Sequence, residues 1–137
     1  MKKIISILIL ALISIAAFQS EARRVPGEKV GVRFDTLVYD FGNAAEDGDP
    51  VVHEFTYTNT GSGALTLLSA RPSCGCTQPK YSRKPLRPGE SAVIKITFMP
   101  KGWKGEVDKD VRLRFKNAAG KSEEITVRLT GVVIPAK

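Results

Sequence analysis

The chain has 137 residues, 21 basic against 14 acidic, one histidine and a net charge of +7. That length suits a single domain. Although the balance is basic, the charge is spread along the chain and aromatic residues make up only 7%, which argues against a nucleic-acid-binding surface.

The N-terminus opens with Lys2 and Lys3, continues with an apolar run from Ile4 to Phe18, and reaches the small-x-small site Ser20-Glu21-Ala22. This is the layout of a secretory signal peptide over residues 1–22, cut before Arg23. The apolar run is about 15 residues, short of the roughly 20 that a spanning helix needs, so no transmembrane anchor is expected after cleavage. Removing Lys2, Lys3 and Glu21 leaves 19 basic and 13 acidic residues. Residues 23–31, charged and interrupted by Pro26 and Gly27, read as a flexible lead-in.

From residue 32 to 137 the pattern is that of strands. The first lies between Phe34 and Phe41, with a break near Asp35-Thr36. Phe55 and Tyr57 alternate with Glu54, Thr56 and Thr58, and Leu65 and Leu67 fit a further strand. Ile94, Ile96 and Phe98 alternate with Lys95 and Thr97. Arg112 and Arg114 separate Val111, Leu113 and Phe115, while Thr126 and Arg128 separate Ile125, Val127 and Leu129. Period two over such lengths places one face in a core and the other in water. Turn chemistry punctuates the runs at Gly48-Asp49-Pro50, Gly61-Ser62-Gly63, Pro88-Gly89, Gly102 to Gly105 and Asn117 to Gly120. No convincing helical period appears. The expected fold is all-β, an antiparallel immunoglobulin-like sandwich of about seven strands. It is not of the antibody type, in which distant cysteines bridge the sheets; here Cys74 and Cys76 are two positions apart and Trp103 follows both.

The order of short motifs carries a resemblance. Tyr39-Asp40-Phe41-Gly42, Val51-x-His53-x-Phe55 and Thr58-Asn59-Thr60-Gly61 form one block. Pro72-Ser73-Cys74-Gly75-Cys76-Thr77, Pro88-Gly89-Glu90 and Phe98-Met99-Pro100-Lys101-Gly102 form a second. Together they resemble the secreted immunoglobulin-like family numbered fifteen-seventy-three among the domains of unknown function, with Cys-Gly-Cys-Thr as the most specific block. They are also similar to docking sandwiches of the major sperm protein and hydin type. The resemblance implies a seven-stranded sandwich exported across the inner membrane of a Gram-negative bacterium, and it implies no activity.

Chemistry concentrates in one loop. Two residues of extended strand span about 6.6 Å between Cα atoms, at the outer limit for a disulfide, but Gly75 permits a tighter path between Cys74 and Cys76. Arg71 and Lys80 flank the pair and favour a thiolate. Three chemistries fit: a local disulfide that shapes the loop, capture of a soft metal such as Cu(I) with His53 or Met99 as further ligands, and thiol redox exchange. The redox case lacks the usual Cys-x-x-Cys at a helix start. His53 shares the parity of Val51, Phe55 and Tyr57, which marks it as a core or core-edge residue, and no serine context accompanies it for a hydrolytic triad. Asp40-Phe41-Gly42 spells a kinase magnesium motif, but the rest of the kinase signature set is missing.

The densest basic stretch, Lys80 to Arg87, supplies Lys80, Tyr81, Arg83 and Lys84, which with Arg71 are candidates for contact with an acidic partner or a lipopolysaccharide phosphate. No catalytic set emerges and no cofactor is implied, copper being the alternative. The expected function is therefore an exported, non-catalytic binding or structural module of the envelope, in the periplasm or at the cell surface. It would dock an unidentified protein or envelope component through a strand edge or a sheet face. Glu124 to Ile134, long and β-branched, is the candidate edge. The alternative is a periplasmic copper-binding or thiol-redox protein using Cys74 and Cys76.

Overall fold

The period-two segments form eight strands in a computed structural model that describes residues 23–137; the expected leader, residues 1–22, lies outside the described residues. In chain order they are β1 (Val32–Phe34), β2 (Val38–Ala45), β3 (Val51–Asn59), β4 (Leu65–Pro72), β5 (Thr77–Lys80), β6 (Ser91–Phe98), β7 (Gly105–Asn117) and β8 (Ser122–Ile134). They build two four-stranded sheets, ordered β1-β3-β6-β5 and β2-β8-β7-β4. Between the sheets Phe55, Ile94, Ile96, Phe98, Leu113, Phe115 and Val127 are fully buried. Their solvent-parity neighbours, such as Glu54, Lys95, Arg112 and Thr126, are exposed or half-buried.

Two features refine the expected antiparallel plan of about seven strands. First, β2 runs parallel to β8, because the chain switches sheets between β1 and β2 without reversing direction. The break foreseen at Asp35-Thr36 is that switch. Asp35 Oδ1 accepts the amide protons of Thr36 (2.7 Å) and Thr56 (3.1 Å), which anchors the crossing chain to β3. Second, β5 is an additional strand. Pro79 and the surrounding basic residues hid it, yet an edge strand tolerates proline because only one side of its ladder is used.

The lead-in also differs from expectation. Pro26 to Gly31 is folded onto the sandwich: the amides of Gly31 and Val32 both donate to the Gly27 carbonyl (2.9 Å each), and the Thr60 amide donates to that of Gly31 (2.8 Å). Gly27 takes φ 93°, a conformation that side chains disfavour, and Val30 closes the end of the core at 1% exposure. Burial of Val30 supplies the reason that a charged, proline-broken segment is ordered against the domain.

A buried asparagine ties the loops at the same end. Asn59 donates from Nδ2 to the carbonyls of Gly63 (2.9 Å) and Leu86 (3.0 Å), while its Oδ1 accepts from the Gly61 amide (2.9 Å). Its side chain is therefore fully engaged at 1% exposure. Leu86, so held, forms an isolated antiparallel bridge with Leu65 at the start of β4.

Candidate functional site

The chain switches sheets again from β4 to β5, and Ser73 to Cys76 form the corner. Ser73 donates its amide proton to the Asp110 carbonyl (3.0 Å), Thr77 to that of Cys74 (3.3 Å), and Met99 to that of Cys76 (2.8 Å). The Thr77–Cys74 bond folds the segment into a turn, so the Cα atoms of Cys74 and Cys76 lie 5.3 Å apart and their sulfurs are joined as a disulfide. That spacing falls within the range a disulfide accepts. Thr77 beneath the turn is 1% exposed, and its hydroxyl lies 3.8 Å from Cys74 Sγ and 3.6 Å from Cys76 Sγ. One hydroxyl thus addresses both sulfurs.

The register separates the proposed soft-metal ligands. Thr77 pairs with Phe98, so Met99, remote in sequence, sits across from Cys76 at the corner. His53 goes elsewhere. It pairs with Ile96 in the middle of its sheet, and its ring stacks on Tyr39 (3.8 Å between centroids, 7° between planes) with Phe55 edge-on at 4.6 Å. Nε2 of this ring is buried without a hydrogen-bond partner. Among the described residues no group of three or more His, Cys, Asp or Glu side chains is placed to hold a metal ion.

The basic candidates divide between the two sheets. Lys80 belongs to β5, beside Lys95 in the register, whereas Arg71 belongs to β4 in the opposite sheet. Tyr81 is half-buried against the core. Arg83 and Lys84 are exposed in that loop. Arg71 faces Arg112 directly across the ladder, Ser69 faces Arg114, and Thr66 faces Lys116. All four of these cations are exposed. The sequence carried a signal for this stripe, three cations at the alternate positions 112, 114 and 116, but only strand pairing brings Arg71 beside them.

The far corner of the same sheet is acidic. Asp40, Glu106 and Asp108 line a shallow cleft of about 610 Å³, where Arg128 closes on Asp108 at 2.6 Å. Both of those side chains are about half exposed, so the pair adds little stability. The edge assigned to Glu124–Ile134 is corrected by the topology over Arg128–Ile134, where β8 lies between β2 and β7 and both sides of its ladder are used; Glu124–Val127 pairs with β7 alone. The terminal strands are β1, β2, β4 and β5.

Several solved structures share this sandwich. The VesB protease of Vibrio cholerae aligns over 74% of this chain with 23% identity and a TM-score of 0.62; the chain spans only 32% of that protein's length. The ASH/PapD-like domain 7 of human CEP192 aligns over 87% of this chain and 95% of its own, with 16% identity and a TM-score of 0.62. The periplasmic chaperone SfaE aligns over 78% of this chain and 58% of its own, with 12% identity and a TM-score of 0.56. At these identities the likeness is one of fold alone. No curated protein matches the chain. The chain belongs to the family described as protein of unknown function (DUF1573), which it matches over residues 32–133.

Proposed function

We propose that this DUF1573 domain is an exported, non-catalytic binding module of the bacterial envelope that docks another protein at the β4–β5 end of its sandwich. The observation that carries it is the corner itself. The terminal strands of the two sheets meet there, the Cys74–Cys76 disulfide clamps the turn between them, and exposed cations surround it. A terminal strand presents main-chain donors and acceptors to a partner, and a clamped turn presents them without further ordering cost. The PapD-like fold supports the docking role by analogy. Export is supported by the charged, apolar and small-x-small layout of residues 1–22. His53, used in aromatic packing, supports the non-catalytic part.

Photo-crosslinking amino acids at Ser69 and Gln78, with the exposed Lys29 at the opposite end as control, test this reading in intact cells. A protein adduct of one mass from both corner positions and none from position 29 is the expected result. Adducts of equal yield at all three positions, or none at the corner, would remove the assignment.

The placement of Met99 opposite Cys76 favours a second reading, a copper-binding or thiol-redox protein. Once a dithiol has reduced the disulfide, two thiolates and a thioether are donors suited to Cu(I). Titration of the reduced protein with Cu(I), and its equilibration with glutathione, test the two versions. Copper retention or thiol exchange no greater than in the Cys74→Ser/Cys76→Ser variant removes both.

A further inference from the structure

The exposed face of β4 and β7 holds like charges in an arrangement that the fold itself does not neutralise. Arg71 and Arg112 are direct cross-strand partners, with Cα atoms about 5 Å apart, where like charges are mutually destabilising. Arg114 and Lys116 continue the stripe along β7, and successive members are about 6.7 Å apart, two residues of extended chain. The acidic groups facing this stripe are few. Glu124 lies across from Arg114 on β8, and Asp110 precedes Arg112 on β7 but pairs in register with Arg128. Among the described residues the one ion pair within 4 Å is Arg128–Asp108, outside the stripe.

A second feature adjoins it. The β4–β7 ladder slips between Leu67 and Ser69, leaving Leu68 as an extra residue whose side chain is 38% exposed. Leu68, Thr66, Pro85, Ala118 and the stem of Lys116 line a shallow, mostly apolar depression of about 180 Å³. The same strand has an open outer edge. The Leu86 bridge uses the main-chain groups of Leu65, and ladder alternation then directs those of Leu67 and Ala70 away from β7.

We propose that this face binds an extended acidic segment of another protein, with carboxylates at alternate positions over Arg112, Arg114 and Lys116, the first shared with Arg71, and an apolar side chain seated beside Leu68. Alternate side chains of an extended peptide repeat at about 6.7 Å, the period of the stripe, and point to one face. Guanidinium groups take carboxylates in paired hydrogen bonds, which ties charge complementarity to geometry. A lipid headgroup would satisfy the charges but neither the fixed two-residue period nor the open main-chain groups. The proposal rests on the docking reading and names its partner's chemistry.

The test uses the purified oxidised protein and two labelled peptides of equal composition. One has glutamates at alternate positions separated by threonines, with a terminal leucine, and the other has the glutamates in one block. At physiological salt the alternating peptide is expected to bind roughly ten-fold tighter, with amide shifts at Leu68, Arg71, Arg112 and Arg114. The folded double variant Arg71→Glu/Arg112→Glu should lose that binding and recover it with lysines in place of the glutamates. Such recovery also shows that the variant's fold is intact. Equal affinity for both peptides, shifts confined to the Lys80–Arg87 loop, or binding to anionic phosphatidylglycerol vesicles without peptide binding would overturn the proposal. Crosslinking at Ser69 and Gln78 reports separately on whether any protein docks at the corner.

Discussion

Asn59 is the residue through which a loop at one end of the core holds the edge of β4. Replacement by alanine removes three hydrogen bonds, to Gly61, Gly63 and Leu86. The Leu86 carbonyl keeps its bond from the Leu65 amide, so the groups left without a partner are the Gly61 amide and the Gly63 carbonyl. At about 1 kcal/mol for each lost bond, with more where a buried group is stranded, the cost is roughly 3–5 kcal/mol. For a domain of this size that lowers Tm by roughly 12–20 °C. Urea unfolding gives the free energy, and hydrogen exchange at the Leu86 and Leu65 amides shows whether the bridge to β4 loosens with it. The Asn59→Asp variant sharpens the argument. It keeps an acceptor for Gly61 but turns a carboxylate toward two carbonyls, so burial raises its pKa and the folded state binds more protons. Its stability should therefore improve as pH falls, whereas that of Asn59→Ala should follow the parent. A loss below about 1 kcal/mol for Asn59→Ala, with exchange at Leu86 unchanged, would refute the claim that this side chain organises the edge.

Three further outcomes are expected. Gly131→Ala places a methyl group on the Phe41 ring, which itself packs on Phe98, and should cost about 1–3 kcal/mol in denaturant unfolding, with partial recovery in Gly131→Ala/Phe41→Leu. Burial raises the Tyr57 phenol above its ordinary 10.0, so above that pH the unfolded chain releases a proton that the folded chain retains, and stability falls. Tyr57→Phe should flatten that alkaline decline by up to about 1.4 kcal/mol per pH unit in chemical unfolding between pH 9 and 11. Replacing Cys74 and Cys76 together by serine should cost only about 1.6 kcal/mol, the loop-closure value for three residues. The Thr77–Phe98 pairing should persist, as judged by the amide shifts of β5 and β6; loss of that pairing would make the disulfide a folding requirement.

Much of the architecture was legible in the chain because a strand with one wet face must alternate. Phe55 and Tyr57, Ile94 to Phe98, Val111 to Phe115 and Ile125 to Leu129 all emerge on the core face that their parity assigns. The break at Asp35-Thr36 and the turn glycines were equally visible, since local backbone chemistry dictates them. β5 was not, because an edge strand of four residues with a proline carries no alternation of its own and is defined by pairing with β6. The order of strands within a sheet is likewise a non-local property. It turned the Arg128–Ile134 part of β8 from a candidate edge into an interior strand, set Met99 opposite Cys76, and sent His53 into an aromatic stack away from them. By itself the sequence determined which residues face the core, since burial depends on parity along one strand. Only the tertiary structure decided which cations share a face, because Arg71 and Arg112 become neighbours solely through the register of β4 against β7.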